Sequence, residues 1–157
     1  MSGSGLHILI VEARFYEDIT DNLADGAIAI LNSAGCSFDR VQVPGALEIP
    51  SAIGYAAEAS ANGGVHYDGY IALGCVIRGE TSHYDTVSEL SARGLQDLSL
   101  NGGMAIGNGI ITTENNTQAK ERADKSKKDK GGDAAKACLT LCGLRALFYG
   151  AASGEST

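Results

Sequence analysis

Ala72-Leu73-Gly74-Cys75-Val76-Ile77-Arg78-Gly79-Glu80-Thr81-Ser82-His83-Tyr84-Asp85 begins apolar and ends polar, and the change falls at a glycine. The apolar half reads as a buried strand. After the turn at Gly79, Thr81, Ser82 and His83 stand where a helix would begin. In open α/β sheets, ligands bind where strand ends meet helix starts. The free N–H groups of a helix N-terminus suit an anion such as phosphate. A histidine beside them can move protons near neutral pH. This segment alone points to an α/β enzyme acting on a small phosphorylated molecule.

The same alternation of strand and helix extends in both directions. Leu6 to Val11 reads as a first strand, apolar except for His7. Asp18 or Thr20 can cap a helix running to Ser33, with Leu23, Ala27, Ile30 and Leu31 on one face and Gly35 as its stop. Phe38 to Val43 is a second strand, halted by Pro44-Gly45. Ala46 to Ser60 reads as a helix of small residues, ended near Asn62-Gly63-Gly64. Tyr70 to Ile77 is the third strand. His83 to Leu98 follows as a helix, with Val87, Leu90, Leu95 and Leu98 on one side. Met104 to Thr113 is a glycine-rich fourth strand. Asn116 to about Asp124 is a short helix. Asp133 to Phe148 is the last helix, with Ala137, Leu141, Leu144 and Phe148 in register. Strands separated by helices pair in parallel through right-handed crossovers. The expected fold is a three-layer αβα sandwich around a four-stranded parallel sheet. It forms one domain over 6–150, with flexible ends at 1–5 and 151–157.

The chain's 157 residues suffice for one sizeable core. Its formal net charge of −7 argues against general nucleic-acid or anionic-membrane binding, which needs a basic footprint. Cys36, Cys75, Cys138 and Cys142 show no zinc-ligand spacing, and Cys138 and Cys142 read as small buried residues. No secretory pattern or membrane-length apolar run is visible, so the expected compartment is the reducing cytoplasm. The run from Lys125 to Lys130 reads as a solvated loop or helix end.

A parallel sheet gathers all its strand C-termini on one edge. Arg14-Phe15-Tyr16, Val43 to Glu48, Gly79 to His83, and Thr112 to Asn115 with Arg122 beyond would meet there. They offer an aromatic face, a carboxylate, a phosphate-binding turn, a histidine and an arginine. Such a set suits a planar polar ring, a polyol and a phosphate. Each residue alone has a plainer explanation. Phe15 could cap the core, Glu48 could be an acid placed by the helix dipole, and Arg122 could be a surface ion-pair partner. His83 could be an ordinary first-turn residue. Their convergence is the argument.

Taken together, these segments resemble the lumazine synthases of riboflavin biosynthesis. The resemblance rests on Arg14-Phe15, Val43-Pro44-Gly45-Ala46-Leu47-Glu48-Ile49-Pro50, the Ala72 to Asp85 stretch, Thr112-Thr113-Glu114-Asn115, Gln118-Ala119, Arg122 and Lys130-Gly131. It covers Leu6 to Phe148. It implies a flavodoxin-like fold and the condensation of 5-amino-6-(D-ribitylamino)uracil with 3,4-dihydroxy-2-butanone 4-phosphate. The product is 6,7-dimethyl-8-ribityllumazine, with phosphate and water released. The substrate carries its own amine nucleophile, so no metal, cofactor or catalytic Ser or Cys is implied.

The resemblance also assigns roles. Phe15 would stack on the uracil ring. Ala46, Leu47 and Glu48 would line the ribityl chain. Cys75, Val76 and Ile77 would contact the pyrimidine. Glu80 and Thr81 would hold the phosphate, largely through backbone N–H groups, and Arg122 would pair with it. His83 would transfer protons, and Lys130 would reach the uracil. Asn108 stands where many members carry an aromatic residue that covers the ring from the adjacent subunit, which predicts altered substrate affinity. Tyr16 replaces a common Asn, and Ala105 a common Pro. The resemblance further implies a homopentamer with sites between neighbours. The lysines of 124–132, and the lack there of the Gly-rich loop of shell-forming members, favour a pentamer or a pair of pentamers over a sixty-subunit shell. Two other readings stand beside the enzyme. One is a flavin-like ligand carrier on the same fold, kept open by Asn108. The other is a flavodoxin-like signalling domain, disfavoured because Glu12 and Asp18 do not make its acidic cluster.

Overall fold

The computed structural model describes residues 5–79 and 83–152. Glu80 and Thr81 lie outside the described residues, as do 1–4 and 153–157, most of the ends expected to be flexible. Four strands, β1 (His7–Ala13), β2 (Ser37–Val43), β3 (Gly69–Ile77) and β4 (Ile106–Thr113), form one sheet in the order β2-β1-β3-β4. Every pairing is parallel; Val11 stands opposite Val41 on one side and Ala72 on the other. The helices are α1 (Glu17–Ala34), α2 (Ile49–Ala61), α3 (His83–Gly102), α4 (Asn116–Ala123) and α5 (Lys130–Ala152).

The two central strands are buried on both faces, and alternate residues serve different layers. Ile8 and Ile10 of β1, with Ile71, Leu73 and Cys75 of β3, pack against Leu23, Ala27 and Leu31 of α1 and the small residues of α4 and α5. Leu9, Val11 and Ala13, with Tyr70 and Ala72, face Ile49 and Ile53 of α2 and Leu95 of α3. The result is the expected αβα sandwich, consistent with a flavodoxin-like fold. Gly35 ends α1 as foreseen, in the left-handed region at φ 77°, with its N–H bonded to Leu31 and Asn32 carbonyls.

The glycines of β4 have a packing cause. A Cβ on Gly107 would lie 1.9 Å from the carbonyl oxygen of Ala134, so α5 sits directly on the strand. That close approach corrects the expected face of α5. Ala137, Leu141, Leu144 and Phe148 are exposed, with Phe148 at 63%, whereas Ala134, Ala135, Cys138, Leu139 and Cys142 are buried. Only small or flexible side chains fit against Gly69 and Gly107; the sulfurs of Cys138 and Cys142 would be 2.6 and 2.9 Å from a Cβ on Gly69.

Other boundaries also moved. Leu90 is exposed rather than on the packed side of α3. The segment from Ala46 opens as one 3-10 turn, Ala46–Glu48, before α2 begins, and Pro50 occupies the first turn of α2, where its missing N–H is harmless. Helix α5 starts earlier than expected because Asp129 caps it. Its carboxylate accepts the Gly132 N–H at 3.1 Å and its carbonyl accepts the Asp133 N–H. Lys130 therefore belongs to a helix start. No helix among the described residues is long and apolar enough to cross a membrane.

Candidate active site

A cleft of about 460 Å³ opens at the C-terminal edge of the sheet. The turn after β1 contributes Phe15 and Tyr16, the turn after β2 contributes Pro44 to Glu48, and the end of β3 contributes Cys75, Val76 and Ile77. Gly79, His83, Tyr84 and Val87 close the remaining wall. Eight predicted site residues thus share one cavity: Phe15, Ala46, Leu47, Glu48, Cys75, Val76, Ile77 and His83.

Phe15 is 76% exposed, so it does not cap the core. Its ring meets Tyr16 edge-on, with centroids 4.9 Å apart and planes at 74°. This leaves a flat aromatic surface at the cleft, a stacking platform for a ring. Glu48 is exposed and lies at the start of α2, where its Oε1 accepts the Gly45 N–H at 2.9 Å. The local capping role and the expected binding role therefore fall on the same carboxylate. The bond holds the carboxylate at the wall of the cleft.

Cys75 is buried, and desolvation pushes its thiol up to about 11, opposed by a hydrogen bond with Thr113. It is therefore a neutral wall residue at physiological pH, without thiolate reactivity. Arg78 joins the elements around the cleft. Its Nε is 2.9 Å from Glu114, its Nη1 3.9 Å from Asp85, and its guanidinium lies 4.4 Å above the Tyr84 ring. Among the described residues, no group of three or more His, Cys, Asp or Glu side chains is placed to hold a metal ion.

Asn108, Arg122 and Lys130 do not line this cleft. Asn108 lines a separate groove between α3 and β4, with Asp85, Ser88, Glu89, Ser91, Ala92, Ile110 and Thr112. Its Oδ1 accepts the Ile110 N–H at 2.9 Å along the outer edge of β4. Arg122 donates from Nη1 to the Thr112 carbonyl at 2.8 Å, which ties α4 to the end of β4. Lys130 is exposed at the start of α5, with Nζ 3.6 Å from Asp133. Within one chain these three candidates stand apart from the eight that share the cleft.

Sequence reasoning placed Tyr16 at this edge without a role of its own and assigned no site role to Tyr84 or Val87. Val87 was readable only as an apolar-face residue of α3. Its spacing of four from His83 is the signal that both face one side.

An aromatic platform, a carboxylate and a histidine at the C-terminal edge of a parallel sheet define an α/β small-molecule enzyme of the open-sheet type. Comparison with known proteins narrows that class. The sequence profile of 6,7-dimethyl-8-ribityllumazine synthase matches residues 5–146. The 6,7-dimethyl-8-ribityllumazine synthase 1 of Mesorhizobium japonicum is 52% identical over 139 residues, 88% of this chain and 85% of that protein. The corresponding synthase 1 of Rhizobium meliloti is 54% identical over 140 residues, covering 89% and 92%. The Agrobacterium fabrum 6,7-dimethyl-8-ribityllumazine synthase is 54% identical over 144 residues, covering 92% and 97%. The chain belongs to the 6,7-dimethyl-8-ribityllumazine synthase family.

Proposed function

We infer that this chain is a transferase of riboflavin biosynthesis that forms 6,7-dimethyl-8-ribityllumazine, and that the cleft at Phe15, Glu48 and His83 is half of its active site. The observation that carries the assignment is the convergence of eight expected residues, from three strand ends and a helix start, in one cavity. The amine of 5-amino-6-(D-ribitylamino)uracil attacks the carbonyl carbon of 3,4-dihydroxy-2-butanone 4-phosphate, and loss of water gives a Schiff base. Elimination of phosphate and ring closure, with loss of a second water, complete the product. The nucleophile is the substrate's own, so the protein's task is to hold two reactants together and relay protons.

In this reading Phe15 stacks on the uracil and Glu48 accepts ribityl hydroxyl hydrogen bonds beside Ala46 and Leu47. Cys75, Val76 and Ile77 border the ring. His83 shuttles protons between the attacking amine and the leaving oxygen. Glu80 and Thr81 take the phosphate together with Arg122, and Lys130 approaches the uracil. No cofactor is assigned.

The separation of Asn108, Arg122 and Lys130 from the cleft supports a site completed by a second copy of the chain. The exposed Leu141, Leu144, Leu147 and Phe148 of α5, and Leu100 of α3, offer apolar surface for contacts between copies. We propose a homopentamer, alone or paired, rather than a shell, acting in the cytoplasm without nucleic-acid or membrane partners. Mass photometry tests the assembly, and a particle of sixty chains would overturn it.

A steady-state assay tests the function. The purified chain is mixed with both substrates, and lumazine absorbance and phosphate release are followed beside His83→Ala and Arg122→Ala. Product formation, reduced in both variants, is expected. A folded oligomer that binds the uracil but makes no product above background would point to a carrier instead.

A further inference from the structure

Glu12 is wholly buried, yet it carries a carboxylate. It sits near the end of β1, where Arg14 Nη1 lies 3.1 Å from Oε1 and Arg40 of β2 donates to both oxygens. Arg14 also reaches the first turns of α1, with Nη2 2.8 Å from Asp21 Oδ1. Its side chain is 17% exposed, and its Nε is buried without a partner. A guanidinium held in this way links β1 to α1 across the turn between them. The residues of that turn are Arg14, Phe15 and Tyr16, and Phe15 and Tyr16 face the cleft whereas Arg14 does not line it. Backbone acceptors fasten the turn as well, and Tyr16 packs against the buried core. Arg14 N–H donates to the Val43 carbonyl at 2.9 Å, and the buried Thr20 hydroxyl donates to the Ala13 carbonyl at 2.7 Å.

We propose that Arg14 is a positioning residue for the ring-binding half of the site: by bridging Glu12 and Asp21 it sets the orientation of the Phe15 platform without touching substrate. The assignment rests on the reading of Phe15 as the surface on which the uracil stacks. The ring is 76% exposed and meets the Tyr16 edge, so the backbone that carries it sets much of its orientation. The bridge uses two separate nitrogens, Nη1 and Nη2, held in one rigid plane, whereas an ammonium carries all its donors on a single nitrogen. Lysine at this position should therefore fail to preserve uracil affinity even though it keeps the charge.

The test is a comparison of wild type, Arg14→Lys and Asp21→Ala. The second variant removes the acceptor at the α1 end of the bridge and leaves the buried Glu12 paired. Both variants should raise KM for the ribitylamino-uracil roughly three- to tenfold, the range that an aromatic contact supplies. KM for the butanone phosphate and kcat at saturation should stay within about twofold of wild type. Equilibrium titration of the uracil alone, followed by its absorbance, should show the same weakening. That titration keeps the two readings distinguishable, because it reports on the platform even if wild type makes no lumazine. Unchanged uracil affinity in Asp21→Ala would overturn the proposal. So would a parallel loss in kcat and in both KM values with a lowered melting temperature, since that pattern marks a merely structural ion pair.

Discussion

A Cβ on Gly131 would lie 1.9 Å from the carbonyl oxygen of Leu23, so the first turn of α5 rests directly on the backbone of α1. No rotamer change can relieve a clash with a carbonyl. Gly131→Ala must instead push apart the two helices that place Lys130. We expect a loss of about 1–3 kcal/mol, as for other overpacked sites. Urea denaturation should show a lower midpoint with an unchanged m value; an unshifted midpoint would mean the helices are not in this contact.

Removing the charge of Glu12 leaves Arg14 and Arg40 facing a neutral amide at a buried position. Arg40 is half-exposed and can hydrate, and Arg14 keeps Asp21. Glu12→Gln should therefore cost about 3 kcal/mol, the low end of the range for a broken buried ion pair. The same denaturation measurement checks it, and a loss below about 1 kcal/mol would show that the network is looser than its distances imply.

Burial holds Cys75 protonated up to about 11. Iodoacetamide at pH 8 should leave Cys75 unmodified in the folded protein for far longer than in the denatured chain, as mapped by peptide mass. Rapid labelling of the folded form would mean that the thiol is ionised in the cleft.

Tyr67 donates to Asp39 at 2.6 Å, and desolvation, aided by that bond, raises it from 10.0 to about 12. Between those values the folded chain keeps a proton that the unfolded chain has lost, so stability falls as pH rises through the window. Tyr67→Phe removes the group. The stability gap between wild type and variant should be constant from about pH 6 to 10, narrow above it, and narrow again in acid as Asp39, held below its ordinary range by the same bond, takes up its proton. A gap that widens above pH 10 would reverse the assignment.

The Asn108 amide serves the outer N–H of Ile110 rather than a ring. Asn108→Phe should restore stacking area and tighten uracil binding by roughly three- to tenfold. Direct titration measures it, and equal affinities would show that this position does not meet the ring.

The alternation of strands and helices, the helix stop at Gly35 and eight of the residues lining the cleft were readable from the chain. Each depends on a local pattern: an apolar run, a turn residue, a helix start. The packed face of α5 was not readable in this way. Leu141, Leu144 and Phe148 have the periodicity of a core stripe, but Gly69 and Gly107 bring the helix backbone too close for large side chains, and the small residues go inward. Nor did the charge of Arg14 reveal its bridge, because its partners sit on β1 and α1 and converge only after the turn folds.

By itself, the sequence determined the parallel αβα architecture and the chemistry gathered at one sheet edge, since topology sends every strand end there. Only the tertiary structure decided which candidates share a cavity. Phe15, Glu48 and His83 point into one cleft, whereas Asn108 faces outward from an edge strand and Arg122 and Lys130 stand away from that cleft on α4 and α5. The physical reason is that chain order places a residue at an edge, but helix packing decides which side of that edge it faces.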